Sequence, residues 1–387
     1  MFNTSTIEID YLISPTKVGF VSSKLVELSN VVRVHLDSSD KYSRIVIVYN
    51  SEAGEAQVLR DVHESLANLR QRLEIDENVS NLDDVLLPRD LSFSLPNATN
   101  IVGDLIEQGL LVPIGDNDWG LAGKLLKLVQ FFDSNFVSHL GPLLRERTGV
   151  PIQEMRFSPM ISSEYVDRLQ LLAKKPEFTF LVGHLCSDCV SKSIEPDFAL
   201  QSAPCVKVYL AHEGRRDIEK AVFSVVGDCF RNEQKKLSSM ERLISFQQRE
   251  FVFLGPPDFL VEIKQFVLNE LVGWLSKFRI NCSCVPATDP FFLETSDGAG
   301  AKTPAVVKHE IRGTLPYAGR DISIASFDIC GDFFTSAFDI GPQSERIWSG
   351  CIGLGLERMA YVFLQQYGLD EKQWPESVHI DRKCLLE

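Results

Sequence analysis

Two clusters of residues in this chain of 387 residues could do chemistry. The first is Cys229-Phe230-Arg231-Asn232-Glu233, followed after a short loop by Phe246-Gln247-Gln248-Arg249-Glu250. It sets an arginine and carboxylates around an aromatic on what reads as a strand–loop–strand hairpin. The second, Gly353-Leu354-Gly355-Leu356-Glu357-Arg358, reads as a glycine-spaced turn running into a helix with an arginine on its first turns. A guanidinium suits both carboxylate and phosphate, because its planar fork donates parallel hydrogen bonds. Taken singly, either arginine reads more readily as a surface ion pair, and a bare Gly-x-Gly is weak evidence.

The elements that must position these residues fall into two parts. Residues 1–90 predict a small α/β unit. Thr6–Ile13 alternates like a strand, Val18–Ser29 suits a helix, and Val31–Leu36 and Ser43–Tyr49 are β-rich runs around the turn-prone Asp37-Ser38-Ser39-Asp40. Glu55–Leu73 carries Val58, Val62, Leu66, Leu69 and Leu73 at helical spacing. A linker or loop is expected over Asn78–Asn100, with its Pro88 and Pro96. Residues 101–387 predict one larger domain. Trp119–Arg147 reads as a long amphipathic helix ended by Gly149-Val150-Pro151, and Val261–Phe278 as a second helix. Strands are expected at Ile152–Phe157, Phe178–Val182, Cys205–Ala211, Ala221–Phe230, Ile280–Pro286, Val306–Leu315, Asp321–Ile329 and Ser336–Ile340. Such strand-rich sequence between long helices predicts an α+β fold, a mostly antiparallel sheet with helices packed on it.

The order and spacing of the two clusters resemble motifs 2 and 3 of the class II aminoacyl-tRNA synthetases, enzymes that activate amino acids with ATP. The resemblance implies adenylate formation, in which a carboxylate attacks the α-phosphate and pyrophosphate leaves. It implies that Arg231 bridges substrate carboxylate and α-phosphate, Glu233 accepts from the adenine amino group, and Phe246 stacks on the adenine. Arg358 would contact the adenine ring and the γ-phosphate. Leu125–Arg147, Ile152–Ser158 and Pro159 fit the helix–strand–proline of motif 1, which implies a two-fold homodimer.

From about Leu110 onward the chain resembles more narrowly the amino acid:carrier protein ligases, shortened homologues of the atypical seryl-tRNA synthetases of methanogens. The matching segments are Leu111–Gly115, Arg156–Pro159, Cys205, Phe230–Gly255, Asp289–Phe292, Ser326–Phe338 and Cys351–Arg358. Cys205, Glu250 and Cys351 resemble the zinc site of those families. Two thiolates and one carboxylate leave a fourth position open, which takes the substrate amino group there. The bland alternative is that both cysteines are buried small hydrophobes. A rival metal reading pairs Cys186-Ser187-Asp188-Cys189 with Cys282 and Cys284, which stand too close together for a zinc knuckle. Ser326-Phe327-Asp328 departs from the family by carrying Asp where Asn is expected. Ser326 and Asp328 are thus substrate-facing residues, with Asp328 altering amino-acid preference or, in competition with Asp321, holding Mg2+. The implied cofactors are Zn2+, ATP and Mg2+.

Composition narrows the partners. The hydrophobic fraction of 44% and charged fraction of 24% are those of an ordinary globular protein, and no apolar run approaches a membrane span. Met1–Asp10 lacks the features of a signal peptide, and nine cysteines without one point to a reducing compartment, so the cytoplasm is expected. The formal net charge is −14, and residues 1–95 hold 9 Lys and Arg against 15 Asp and Glu. Proteins that grip nucleic acid neutralise phosphates with basic clusters, so a large tRNA footprint is not expected. The first expectation is therefore activation of an amino acid and its transfer to the phosphopantetheine thiol of a carrier protein. The alternatives are charging of tRNA, as by a seryl-tRNA synthetase, or a non-catalytic amino-acid-binding paralogue. The last commonly lacks a motif arginine, and both are present here.

Overall fold

The computed structural model describes residues 2–8, 25, 28, 31–37, 44–50, 54–76, 87–115, 118–169, 179–183, 196–232, 240–287, 308–344 and 347–380. The chain divides into two compact units. One is Met1–Val85 with Pro286–Leu293 and Gly300–Lys308, and the other is the remainder.

The first unit is a three-stranded antiparallel sheet of β1 (Phe2–Glu8), β2 (Val31–Asp37) and β3 (Arg44–Asn50), in the order β1-β3-β2, with helix α1 (Glu55–Asp76). Alternation explains β3, in which Ile45, Ile47 and Tyr49 are buried. Val58, Val62 and Leu66 are buried one turn apart along α1. The first strand starts earlier than its alternation suggests. Asn3-Thr4-Ser5-Thr6 is polar, yet it pairs with β3 along its whole length as the edge strand of the sheet. The helix expected at Val18–Ser29 lies almost wholly outside the described residues.

The second unit is built on a seven-stranded sheet. In chain order its elements are β4 (Leu111–Gly115), β5 (Asp118–Leu121), α2 (Gly123–Thr148), β6 (Ile152–Arg156), β7 (Met160–Ser162), β8 (Leu181–Val182) and β9 (Phe198–Leu200). There follow α3 (Cys205–Ala211), β10 (Ala221–Phe230), β11 (Ser245–Gly255), α4 (Pro257–Lys277), β12 (Cys282–Ala287), β13 (Lys308–Leu315), β14 (Arg320–Gly331), α5 (Phe333–Ala337), β15 (Trp348–Gly355) and α6 (Leu356–Tyr367). The main sheet runs β12-β13-β14-β15-β11-β10-β6. Its central pairs are antiparallel, and β6 joins the edge parallel to β10.

The core lies between this sheet and α2, α4 and α6. Leu125, Leu128, Phe132, Phe136, Leu140 and Leu144 form the buried stripe of α2. Phe132 meets Trp274, Phe278 and Phe363 edge-on, and Phe136 packs on Phe251. Gly149 ends α2 in the left-handed conformation, with φ of 66°.

Four sequence expectations are corrected. The long helix begins at Gly123 rather than Trp119, because Asp118–Leu121 pairs with Leu111–Gly115 as a hairpin. Cys205–Ala211 is a helix, not a strand. Its buried residues Cys205, Val206, Val208 and Tyr209 make a helical face, and over seven residues periods of 2 and 3.6 look alike. Ser336–Ile340 is likewise no strand: α5 ends at Ala337, and Asp339 takes a positive φ of 58°. Gly353-Leu354-Gly355 lies within β15 rather than in a turn, and the helix follows directly. The segment expected as a linker or loop is, in its described part, a loop tied down within the second unit. Leu91 bridges Cys282, Phe93 exchanges two hydrogen bonds with Asn281, and Asn97 donates to the Gln365 carbonyl.

Candidate active site

Register assigns the functional side chains to one face of the sheet. Glu250 pairs with Gly353, which pairs in turn with Ser326; Cys351 pairs with Val252 and with Asp328. Residues opposite one another, or two apart, share a face. Glu250, Cys351, Ser326 and Asp328 therefore point the same way, together with Phe246, Gln248 and Cys229 of the hairpin. Helix α3 lies over this face. Gly227 of β10 admits it, because a Cβ there would come within 2.9 Å of the Gln201 side chain and 3.1 Å of Pro204. Gln201 anchors the approach, donating to the Asp228 carbonyl while its own carbonyl accepts from Phe230.

The helix delivers Cys205 to the sheet. The ligand atoms of Cys205, Glu250 and Cys351 all lie within 4.8 Å of one another, and all three residues are buried. Among the described residues this is the one group of three that could hold a metal ion. Donors around a tetrahedral zinc stand roughly 3.3–3.8 Å apart, so the group needs only a slight contraction to fit. Glu250 is already oriented, accepting from the Cys205 backbone N–H at 2.8 Å. The Cys205 thiol is held well above its ordinary pKa by its hydrogen bond with Cys351, then by burial and the nearby Glu250 carboxylate. A bound dication reverses that balance and holds the sulfurs as thiolates. The donor set fits zinc.

Ser326 donates to Asp328 at 3.1 Å beside this group. Asp321, the competing Mg2+ candidate, is exposed and accepts from Ser283. Seven positions separate it from Asp328, so the two lie on opposite faces and about 23 Å apart along the strand. Of the rival cysteines, Cys186 and Cys189 lie outside the described residues. Cys282 and Cys284 are buried on β12, their thiols pushed up by burial to about 12 and about 11. Glu233 also lies outside the described residues.

At the hairpin end Arg231 is placed on the face of Phe246, its guanidinium carbon 5.1 Å from the ring centroid, and it donates to the Ser202 carbonyl. Arg358, on the first turn of α6, donates to the Ser323 carbonyl at 2.8 Å. Glu241, from the same hairpin loop, feels the Arg358 charge and is hydrogen-bonded by Tyr317 and Arg320. Arg249 does not belong to the site. It points to the other face, where it makes a two-pronged ion pair with Asp133 of α2 at 2.7 and 3.0 Å.

Two residues of this region were not singled out from sequence. Glu357 accepts from the Gln247 backbone N–H with both oxygens at 2.9 Å, and burial pushes its carboxyl up to about 7. Its place beside Arg358 was the available signal. Tyr209 follows Cys205 by one helical turn, a spacing that matters only once the segment is read as a helix.

No model of a known protein family matches the chain. The chain is related in sequence to type-2 serine–tRNA ligases. It is 24% identical over 294 residues to that of Methanococcus maripaludis (strain DSM 14266), covering 68% of this chain and 56% of the relative. It is 28% identical over 191 residues to that of Methanothermobacter thermautotrophicus, covering 48% and 37%. The chain thus spans about half or less of the length of these relatives. Among solved structures, it superposes on the Methanopyrus kandleri seryl-tRNA synthetase bound to A. aeolicus tRNASec with a TM-score of 0.67. The identity is 17%, with 97% of this chain and 76% of that one covered. A cytoplasmic serine–tRNA ligase of Naegleria fowleri in complex with AMP gives 0.58 at 13% identity, covering 80% and 77%. The fold is that of the class II synthetases, α+β around an antiparallel-rich sheet.

Proposed function

We propose that this chain is a ligase that activates an amino acid with ATP at a zinc site formed by Cys205, Glu250 and Cys351. The observation that carries the reading is the convergence of those three buried side chains between α3 and one face of a class II sheet. Bound zinc would supply a Lewis-acid anchor for an amino group at its open position. Arg231 holds the substrate carboxylate against the α-phosphate. A carboxylate oxygen attacks the α-phosphorus, the bond to the bridging oxygen breaks, and pyrophosphate leaves with Arg358 balancing its charge, a task that bound Mg2+ would share. Phe246 offers the adenine its face once Arg231 turns to substrate, and Glu233 accepts from the adenine amino group. An acceptor nucleophile then attacks the carbonyl and releases AMP.

The acceptor that the relatives favour is tRNA, since those matched are named serine–tRNA ligases. That weighs against the sequence expectation that set tRNA aside. The carrier-protein thiol stands as the second reading, because a net charge of −14 disfavours a large tRNA footprint, although it does not itself attract an acidic carrier. A two-fold homodimer is supported by the exposed apolar side chains Ile106, on a short helix at Val102–Glu107, Val112 and Ile114 of β4, and Leu126 of α2. No helix among the described residues is long and apolar enough to cross a membrane.

The test is amino-acid-dependent ATP–pyrophosphate exchange over a broad amino-acid panel, with zinc measured on the same sample. Exchange with one or a few amino acids, about one zinc per chain, and loss of both on chelation are expected. Zinc-loaded protein that exchanges with no amino acid would overturn the reading. Aminoacylation of tRNA against that of a carrier protein then separates the two acceptors.

A further inference from the structure

Resting on the amino-acid reading above, we infer that Tyr209 hydrogen-bonds the small molecule held at the Cys205–Glu250–Cys351 cluster and restricts it to a compact polar amino acid. Tyr209 stands four residues after Cys205 on α3, so both occupy one face of the helix. It is fully buried, and its hydroxyl meets no hydrogen-bond partner among the described residues. That hydroxyl lies within electrostatic reach of Cys330, Cys205, Cys351 and Glu250.

A buried hydroxyl without a partner is costly, and folded proteins rarely keep one without a reason. The polar groups within its electrostatic reach are sulfurs and a carboxylate. A ligand seated among them brings ammonium or hydroxyl protons, which a phenolic oxygen can accept, and polar oxygens, to which it can donate. The ring is fixed in place: it stacks on Phe334 with centroids 4.2 Å apart and planes 16° from parallel. Both rings are buried, so the Tyr209 side of α3 is a packed aromatic wall with no open space for a long side chain. Tyr209 is therefore a positioning and specificity residue, and α3 serves the site twice, through a ligand atom and through a hydrogen bond one turn later.

The test uses the full chain with cobalt(II) in place of zinc. Its visible absorption is read during titration with glycine, serine, alanine and lysine, for wild type and Tyr209→Phe. The expected result is equal cobalt per chain and a ligand-free Tm no lower than wild type, because the substitution removes only the unpaired hydroxyl. The amino acid that binds wild type best should bind the variant about tenfold more weakly. Equal affinities would overturn the role of the hydroxyl. Lysine binding wild type as tightly as the small amino acids would overturn the size restriction. Phe334→Leu supplies a second variant, expected to admit a larger side chain without losing the hydroxyl's contribution. A cobalt spectrum that no amino acid perturbs in wild type would instead sink the amino-acid reading itself, an outcome distinct from the other two.

Discussion

Arg249 and Glu250 are neighbours on β11 and belong to different worlds. Glu250 faces α3, where its carboxylate meets two cysteines and the Cys205 N–H. Arg249 faces the helical layer, where Asp133 holds it in a forked ion pair and Ser224 accepts a further bond at 3.2 Å. Beside Arg249 the same face is aromatic, with Phe251 on Phe136 and Phe253 stacked on Phe327. The pleat alone separates the face that carries the proposed site from one that holds the sheet to its helices. Charge is buried on both, but only the first gathers donors without supplying a cation among the three.

Substitutions on the two faces should therefore fail differently. The largest effect is expected at the hairpin end of the site face. Arg231→Ala should lower ATP–pyrophosphate exchange by roughly 10²–10³-fold, the scale on which removing one transition-state charge partner acts. Its melting temperature should stay near wild type, since its bonds to Ser202 lie at the edge of the fold. An Arg231→Ala enzyme with full exchange would remove the adenylation reading. Arg249→Met should do the reverse. It leaves the partly buried Asp133 without its cation, and a loss of about 2–4 kcal/mol in denaturant unfolding is expected. Exchange measured well below the melting temperature should change far less than for Arg231→Ala. An Arg249→Met protein as stable as wild type would show that the forked pair is not what secures α2 to the sheet.

Much of this division was legible in the chain, for reasons that differ by element. The hairpin of β10 and β11, helix α4 and the body of α2 announced themselves because each repeats its pattern over ten residues or more. Helix α3 did not. Cys-Val-Lys-Val-Tyr is β-branched and alternating, and only packing against the sheet decides its period. That error hid Tyr209, whose relation to Cys205 exists only in a helix. The grouping of Cys205, Glu250 and Cys351 came from resemblance to a known motif set, since nothing local relates residues so far apart in the chain. The partnership of Arg249 with Asp133 had no local signal either, because an ion pair between a strand and a distant helix is specified by the fold. Position 328 was readable as a departure from the pattern the sequence otherwise resembles, and the structure places it beside Cys351.

The sharpest comparison uses two glycines of β15, one on each face. Gly353 lies opposite Glu250, and a Cβ there would stand 3.2 Å from Glu250 Oε1 and 3.5 Å from its Cγ. Gly350 lies on the helical face, where a Cβ would stand 2.9 Å from the Asp328 backbone oxygen and 3.0 Å from Leu260 Cδ1. A side chain can yield by a few tenths of an ångström; a strand carbonyl held in a ladder cannot do so without disturbing the sheet. Gly350→Ala should thus cost stability, about 1–3 kcal/mol as for other overpacked cores, and leave metal affinity nearly untouched. Gly353→Ala should leave the melting temperature within a degree or two. It pushes the Glu250 carboxylate off the position in which Cys205 N–H holds it, and a displaced carboxylate binds metal less well. A zinc affinity lower by about tenfold is expected, the low end of what disturbing a ligand's support costs, read by competition with a chromophoric chelator. If Gly353→Ala binds zinc as tightly as wild type, Glu250 is not a ligand, and the absence of a side chain at 353 serves only the close approach of the carboxylate to its strand.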